Sequence, residues 1–437
     1  MKRYDRYKDS GVDWIGEIPE KWQCLNFRQL IDVLTDFTAN GSFGDLAKNV
    51  TYIDDVSYSK LIRLTDLRKN LENGGIYIDE KSHKYLKKSE LFGGELLIAN
   101  VGAYAGLCCI MPDINYKASL GPNMFLLKLN NILLINYTFY LINSSKYWQW
   151  LQITALSSAQ PKLNKENIRQ LKVILPPLPE QQTIASFLDD KTAKIDQTIF
   201  IKEKEIELLK ERRQILIQKA VTKGLDDKVK FKDSGVEWVG EIPEHWKVMR
   251  LKYVFKILKR IAGREGYNIL SITQRGIKIK DISNGEGQIA SDYSNYQFCN
   301  KGEFAMNHMD LLTGWVDITK YDGVISPDYR VFQSILPNAN KKYLLQLLQL
   351  CYSNKAFYAN GQGVSMLGRW RFPTENFNNF SFPIPSNIEQ VKIVAYLEKI
   401  EEKISKAISL KQQEIEKLKE YKTVLIDNVV TGKLKVS

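Results

Sequence analysis

Residues 180–224 read EQQTIASFLDDKTAKIDQTIFIKEKEIELLKERRQILIQKAVTKG, and the reading of this stretch decides the fold. It follows the proline-rich run Leu175-Pro176-Pro177-Leu178-Pro179 and holds no proline or glycine before Gly224. Its apolar side chains recur at helical spacing, which predicts one long helix. About 40 residues at 1.5 Å each make a rod of roughly 60 Å. Ile184, Ile195, Ile206 and Ile217 fall 11 residues apart, with Leu188, Ile199 and Val221 on a neighbouring row. The end of the chain repeats the ladder: Ile393, Ile404, Ile415 and Ile426, with Leu397, Ile408 and Val430 beside them. An 11-residue repeat is 3.67 residues per turn, close to a straight helix. Two nearly straight helices packed antiparallel along an isoleucine seam are expected. Two unrelated amphipathic helices, each on its own domain, are the alternative.

The rest of the chain is long enough for separate bodies. At 437 residues it predicts two or three domains, and 44% hydrophobic with 26% charged residues is the balance of a folded soluble protein. The net charge of +12 favours a polyanionic partner. Residues 180–223 and 389–433 each carry 9 basic and 8 acidic side chains, so the excess lies between the rods. It peaks in 247–280, where ten Lys/Arg, including Arg275, Lys278 and Lys280, face one acid, Glu265. That density fits a phosphate-contacting surface; a solvated basic face is the plainer reading. Cys24, Cys108, Cys109, Cys299 and Cys351 have no CxxC spacing, and His83, His245 and His308 are scattered, so neither a disulfide framework nor a zinc site is expected. The polar start MKRYDRYKDSG does not read as a signal peptide, and apolar runs such as 132–142 are too short to span a bilayer. A cytoplasmic protein is expected.

The plan of the chain is used twice. YKDSGVDWIGEIPEKW at 7–22 returns as FKDSGVEWVGEIPEHW at 231–246, with twelve of sixteen positions identical. The tryptophans Trp14, Trp22, Trp238 and Trp246 read as packing anchors, with a protein-docking surface as the alternative. The middle segments have diverged, but matching stretches remain. Leu61–Thr65 pairs with Ile269–Thr273 as a short strand. Gly94-Glu95-Leu96-Leu97-Ile98-Ala99-Asn100 pairs with Gly302-Glu303-Phe304-Ala305-Met306-Asn307, with one residue dropped, and Gly121–Phe125 pairs with Ser326–Arg330. One apolar helix follows in each half, at 133–150 and 342–359. Then Ala159-Gln160-Pro161-Lys162-Leu163 matches Gly368-Arg369-Trp370-Arg371-Phe372, and a last strand precedes each rod. Two mixed α/β bodies of about 150 residues each are expected, large enough to bury their own cores. The boundaries are 1–179 and 225–388 for the bodies, with lead-in segments 7–22 and 231–246, and 180–224 and 389–437 for the helices. Connecting pieces that match and bodies that differ suit one shared assembly with two different ligands.

No catalytic signature stands. The chain has no N/D-P-P-[FYW], no G-x-G-x-x-G after a strand and no G-x-x-x-x-G-K-[ST]; Gly361-Gln362-Gly363 is too short to count. Pro112-Asp113 and Pro327-Asp328 could open a nuclease carboxylate motif, but neither has an E-x-K partner nearby, and such dipeptides are usually turns. What remains is recognition chemistry. Arg369-Trp370-Arg371 offers two forked donors around an aromatic plate, able to bridge guanine O6 and N7 or clamp a phosphate. Gln274-Arg275 and Asn307-His308 add amide and guanidinium groups at predicted strand ends; Thr65-Asp66, Asn100, Gln160 and Lys162 match them in the first half. The DNA-contact candidates are Gln160, Lys162, Arg275, Lys278, Lys280, Asn307, Arg369 and Arg371. Loop arginines and asparagines are common, and Trp370 can equally be core.

Laid out this way, the chain resembles the specificity subunit of Type I restriction-modification systems. The resemblance rests on KDSGVDWIGEIPEKW and its copy, the strand-plus-PPLPEQQ entrance to the first rod, its weaker copy FPIPSNIEQ at 382–390, and rods ending in Val221-Thr222-Lys223-Gly224 and Val430-Thr431-Gly432-Lys433. It implies an α+β chain with two target recognition domains joined by an antiparallel, coiled-coil-like helix pair. It also implies a bipartite, asymmetric DNA site with a fixed gap. The subunit is then non-catalytic and carries no cofactor. Its partners are double-stranded DNA, two methyltransferase subunits and two restriction/translocase subunits, with S-adenosylmethionine, ATP and Mg expected on those subunits. A fused nuclease or methyltransferase with cryptic motifs, and a coiled-coil adaptor that binds no DNA, are the competing readings.

Overall fold

The computed structural model describes residues 2–69, 71, 74–156, 161–281, 290, 292–363 and 370–436. Its longest elements are two helices, Leu178–Lys223 of 46 residues and Asn387–Val430 of 44. Both begin earlier than the sequence suggests. Pro179 lies inside the first turn, where its missing N–H would have no partner and its fixed φ already suits a helix. The proline run therefore starts the helix as well as ending the strand before it.

The chain divides into two compact units, Met1–Lys202 with Gln412–Ser437, and Glu203–Lys411. Each unit contains part of both long helices, and in each they run antiparallel. In the first, Lys202 pairs with Glu414, and Lys422 with Asp196 at 2.6 Å. In the second, Lys411 pairs with Glu205 at 2.5 Å and Arg213 with Glu401 at 3.1 Å. As one residue number rises, its partner's falls. Beneath these ion pairs lie the isoleucines. Ile184 and Ile195 are buried in the first unit's core, with Ile426 packed against it, and Ile415 is buried as well. Ile393 is buried in the second unit's core with Ile217 packed on it, and Ile206 and Ile404 are also buried.

The two units share one frame. The first has a four-stranded antiparallel sheet in the order Cys108–Ile110, Leu96–Ala99, Met124–Leu129, Ile31–Asp36. The second has the matching sheet, Val316–Ile318, Phe304–Met306, Arg330–Ser334, Phe255–Leu258. Each also has a lead-in hairpin, Tyr7–Asp9 with Glu17–Pro19 and Phe231–Asp233 with Glu241–Pro243. A further pair precedes each long helix, Gln23–Asn26 with Lys172–Leu175 and Lys247–Arg250 with Ser381–Ile384. The units differ in the second sheet. The first builds five strands in mixed sense, with Ala118–Leu120 parallel to Ser59–Ile62. The second has the hairpin Leu270–Thr273 with Gly276–Ile279 and the pair Gln297–Cys299 with Gly323–Ile325.

The lead-in segment is a lock. Trp22 and Trp246 are fully buried, and their indole N–H groups donate to Glu180 Oε2 at 3.0 Å and Glu389 Oε1 at 3.2 Å. Each carboxylate sits in the first turn of a long helix, where unpaired N–H groups and the helix dipole favour a negative charge. The next residues, Gln181 and Gln390, are fully buried, and each accepts a backbone N–H, from Leu134 at 2.9 Å and Asn340 at 2.8 Å. The opposite ends of the helices dock on the same locks. The Tyr137 hydroxyl is shared between the Ile174 carbonyl at 3.0 Å and that of Val430 at 3.5 Å. The Tyr343 hydroxyl lies 3.0 Å from both the Pro383 and Val221 carbonyls. Past the helix ends, Gly224 and Gly432 take φ of +79° and +72°. A Cβ there would lie 3.2 Å from Trp246 and 2.4 Å from Pro19, so both conformation and space require glycine.

Two expectations about the bodies need correction. The single apolar helix of each half is broken in two, Ile135–Ile142 then Ser145–Ala155, and Lys341–Ser353 then Ala356–Ala359. In the first, the Asn143 side chain turns aside to bond the Cys108 backbone at 2.9 and 3.2 Å. In the second, Lys355 adopts a left-handed φ of +61°. The dropped residue in the strand alignment is also absent. Gly94 N donates to Met111 O, and Gly302 N to Thr319 O; Leu163 N donates to Asn100 O, and Phe372 N to His308 O. Asn100 therefore corresponds to His308, and Ala99 to Asn307. The sheet registers Phe125↔Ile98 and Arg330↔Met306 make Phe125 and Arg330 equivalent positions in the same scheme.

Candidate nucleic-acid interface

In the second unit, the backbone bond from Phe372 to His308 brings the strand Trp370–Arg371 against the loop that follows Phe304–Met306. Arg371 is exposed and Asn307 half-buried. The Asn307 side-chain oxygen accepts from Met309 N at 3.3 Å, and its carbonyl accepts the Tyr352 hydroxyl at 2.7 Å, so this residue also shapes its own loop. Trp370 is half-buried on Tyr358, ring centroids 4.6 Å apart. Arg275 and Lys278 are exposed on the hairpin 270–279, with Arg275 at its tip. Gln274 Nε2 donates to Thr313 O at 3.4 Å and Ile277 N to Asp317 Oδ2 at 3.3 Å, which ties the hairpin to segment 310–317. Lys280 is half-buried, its backbone N–H bonded to Ile269 O at 2.7 Å. Arg369 and Gln160 lie outside the described residues.

Arg330 was not among the sequence candidates. It is 4% exposed, and its partners among the described residues include no carboxylate. One guanidinium nitrogen donates to Phe372 O at 2.9 Å and reaches Thr374 Oγ1 at 3.3 Å; the group lies 4.7 Å over the Phe377 ring, and Nη1 has no partner. Burial pulls its pKa down to about 10, so it remains a cation at neutral pH. His308 beside it is pushed down to about 4, by burial first and then by the charges of Arg330 and Arg371, so the imidazole is neutral. Its Nδ1 is buried without a partner. A charged residue in an apolar strand reads as surface in a sequence. The matching Phe125, buried in the first unit, was the available signal that this position faces inward.

In the first unit, exposed Lys162 forms an isolated bridge with Val101. It lines an open cavity of about 540 Å³ with Asn100, Asn123, Phe43 and Lys165. Asn100 is 8% exposed and its Oδ1 has no partner, while Phe43 on the rim is 76% exposed. Asn123 takes a left-handed φ of +69°. Lys165 is neutralised by Asp36 at 2.9 Å, which leaves Lys162 as the cation without an ion pair among these lining residues. Thr65 and Asp66 are not at a strand end; they lie in the helical turn Leu64–Leu67, with Asp66 held by Arg63 at 3.0 Å.

One cluster in the first unit has the connectivity of a catalytic triad. Ser119 Oγ lies 3.0 Å from His83 Nδ1, and Glu90 lies 3.2 Å from Nε2, the connectivity of a nucleophile, base and acid. Ser119 is 0% exposed, so no substrate reaches it and the three groups form a buried polar link. Among the described residues no group of three His, Cys, Asp or Glu could hold a metal ion, and no helix is long and apolar enough to cross a membrane.

Comparison with known proteins agrees with this layout. The family described as Type I restriction modification DNA specificity domain matches residues 19–210 and again 243–420. The putative type I restriction enzyme MjaX specificity subunit of Methanocaldococcus jannaschii is 24% identical over 437 residues, covering 97% of this chain and 96% of its own. The MjaVIII specificity subunit of the same organism is 24% identical, covering 96% and 94%. Among solved structures, a chain from work on complex assembly and conformational transition of the type I R-M system superposes with a TM-score of 0.67 at 14% identity, covering 95% of this chain and 99% of that one. The HsdS subunit from Thermoanaerobacter tengcongensis superposes with 0.53 at 13%, covering 95% and 98%. The repeated α/β frame, the antiparallel helix pair and the double family match lead to one conclusion: this chain belongs to the Type I restriction-modification DNA specificity family, the non-catalytic subunits of those systems.

Proposed function

We propose that this chain reads a split, asymmetric DNA sequence, one half with each body, across a gap set by its two long helices. Residues 1–179 and 225–388 are the two readers, and 180–224 and 389–437 form the spacer, with the eight laddered isoleucines as its seam. What supports this most is one frame carrying two unlike surfaces. The locks of the two units make the same Trp–carboxylate bond, whereas the position of Phe125 is taken by Arg330, that of Asn100 by His308, and that of Lys162 by Arg371. A true dimer reads a palindrome; two different surfaces read two different half-sites. Lys162, Arg275, Lys278, Lys280, Asn307 and Arg371, with Gln160 and Arg369, supply the DNA contacts. The same helices hold two methyltransferase subunits, joined by two restriction/translocase subunits, and S-adenosylmethionine, ATP and Mg bind on those partners in the cytoplasm.

Sequencing the methylated positions in the host genome tests this. The expected result is two short, different motifs at one fixed spacing. Exchanging residues 23–170 for those of another family member then changes one motif only. A single contiguous motif, a palindrome, or loss of both motifs on exchange refutes the reading.

A further inference from the structure

Two bodies that have diverged almost everywhere leave the same strand-end position chemically unfinished. In the first unit it holds Asn100, with Oδ1 buried and unpartnered; in the second it holds His308, with Nδ1 buried and unpartnered. Both carbonyls accept the same backbone bond at 2.8 Å, from Leu163 N and Phe372 N, and the residue before each donor is an exposed cation, Lys162 or Arg371. A buried polar atom without a partner loses its hydration and gains nothing in the free protein, so each such atom calls for an explanation. One orphan is an accident of packing. Two, of different chemistry, at one position of two diverged bodies and beside a cation each time, mark a place kept open for something from outside.

We propose that Asn100 and His308 are equivalent specificity-determining positions, each contacting a base edge of its own half-site, with Lys162 and Arg371 on the flanking phosphate. This rests on the DNA-reading function above and assigns it to residues. An amide carries a donor and an acceptor that match an adenine edge, and a neutral imidazole likewise offers one of each. The surroundings tune the two sites apart. Asn100 opens onto a cavity rimmed by exposed Phe43, whereas His308 rests beside the unpaired charge of Arg330. Asn307 has its side-chain oxygen engaged by Met309 N and stands where the first unit has Ala99, so it is the less suited of the neighbouring pair.

The test is methylation of a randomised plasmid library by the full complex carrying Asn100→Ala or His308→Ala. Asn100→Ala is expected to relax one position of the first motif, losing about ten- to a hundredfold discrimination there, and to leave the second unchanged. His308→Ala does the reverse. Motifs unchanged in both variants overturn the assignment. If an alanine variant is inactive, the near-isosteric Asn100→Asp and His308→Asn decide. A motif altered in one half alone upholds the proposal, and an unchanged motif or continued inactivity overturns it. A wild-type complex that methylates no split motif refutes the DNA-reading function itself, a result distinct from either.

Discussion

The first and second units are the same machine at the join and different machines at the face. At the join, Trp22, Gln181 and Tyr137 have counterparts in Trp246, Gln390 and Tyr343, each bonded to the corresponding backbone or carboxylate. Away from it the correspondence decays. Tyr140 fills the angle against the central helix by bonding Asp189 at 2.7 Å and Thr192 at 3.1 Å. Gln346 occupies the matching position in the second unit, where a cavity of about 750 Å³ opens beside Leu345, Trp315 and Leu397. Side chains of the tryptophan lock at the helix starts are held to one solution by several simultaneous bonds. Side chains that face outward are free to change, and under the proposed function the difference between the two faces is what distinguishes the two half-sites.

Substitutions at the join should cost most and should cost both units alike. Trp22→Ala and Trp246→Ala each remove a fully buried indole and its bond to a helix-terminal carboxylate, with an expected loss of ~3–5 kcal/mol in denaturant unfolding. A large difference between the two variants would break the equivalence. Arg330→Met should act in the opposite sense. It removes a buried cation that has no carboxylate, so stability should hold or rise, by up to ~1–4 kcal/mol. The salt dependence of DNA binding by the complex should become shallower by about one unit of slope if that charge is felt at the phosphates. Lower thermal stability with an unchanged slope would make Arg330 a structural plug.

A smaller effect separates the units by pH. His308 titrates at about 4 in the folded chain against an ordinary value of 6.5, so between those values the unfolded chain binds a proton that the folded chain does not. Stability of the second unit therefore falls as pH drops from 6.5 to 4, and His308 contributes no pH dependence above that window. His308→Gln should flatten this part of a melting-temperature profile. The smallest effect belongs to the helix surface. Arg213 and Glu401 are 36% and 49% exposed, so a double-mutant cycle should give only ~0.2–1 kcal/mol, vanishing in high salt.

Much of this is legible in the sequence alone. The isoleucine ladders and the absence of breakers define both long helices, and the repeated lead-in defines the two joins, because those features are local and periodic. What was illegible depended on tertiary partners. The breaks at Asn143 and Lys355 interrupt apolar runs that read as continuous, since a side chain bonding the Cys108 backbone leaves no periodic trace. The pairing of Asn100 with His308 was hidden by the shared Asn-Asn match one residue away, and only the hydrogen bonds of Leu163 and Phe372 correct it. Arg330 is illegible as an inward residue because charge in a strand suggests solvent, whereas Phe372, Thr374 and Phe377 enclose it.

The Tyr137–Val430 contact has a consequence for how the protein is made. The first unit's core includes Leu425, Val429 and Val430, which are synthesised long after Lys202, where the first run of that unit ends. The second unit is one unbroken run of chain, Glu203–Lys411, and needs nothing synthesised later. At about 5–20 residues per second, the first body waits roughly 10–50 seconds without this part of its core while the rest is translated. The half of the protein that is born first is thus the half that finishes last, and its apolar face is the one a chaperone would meet.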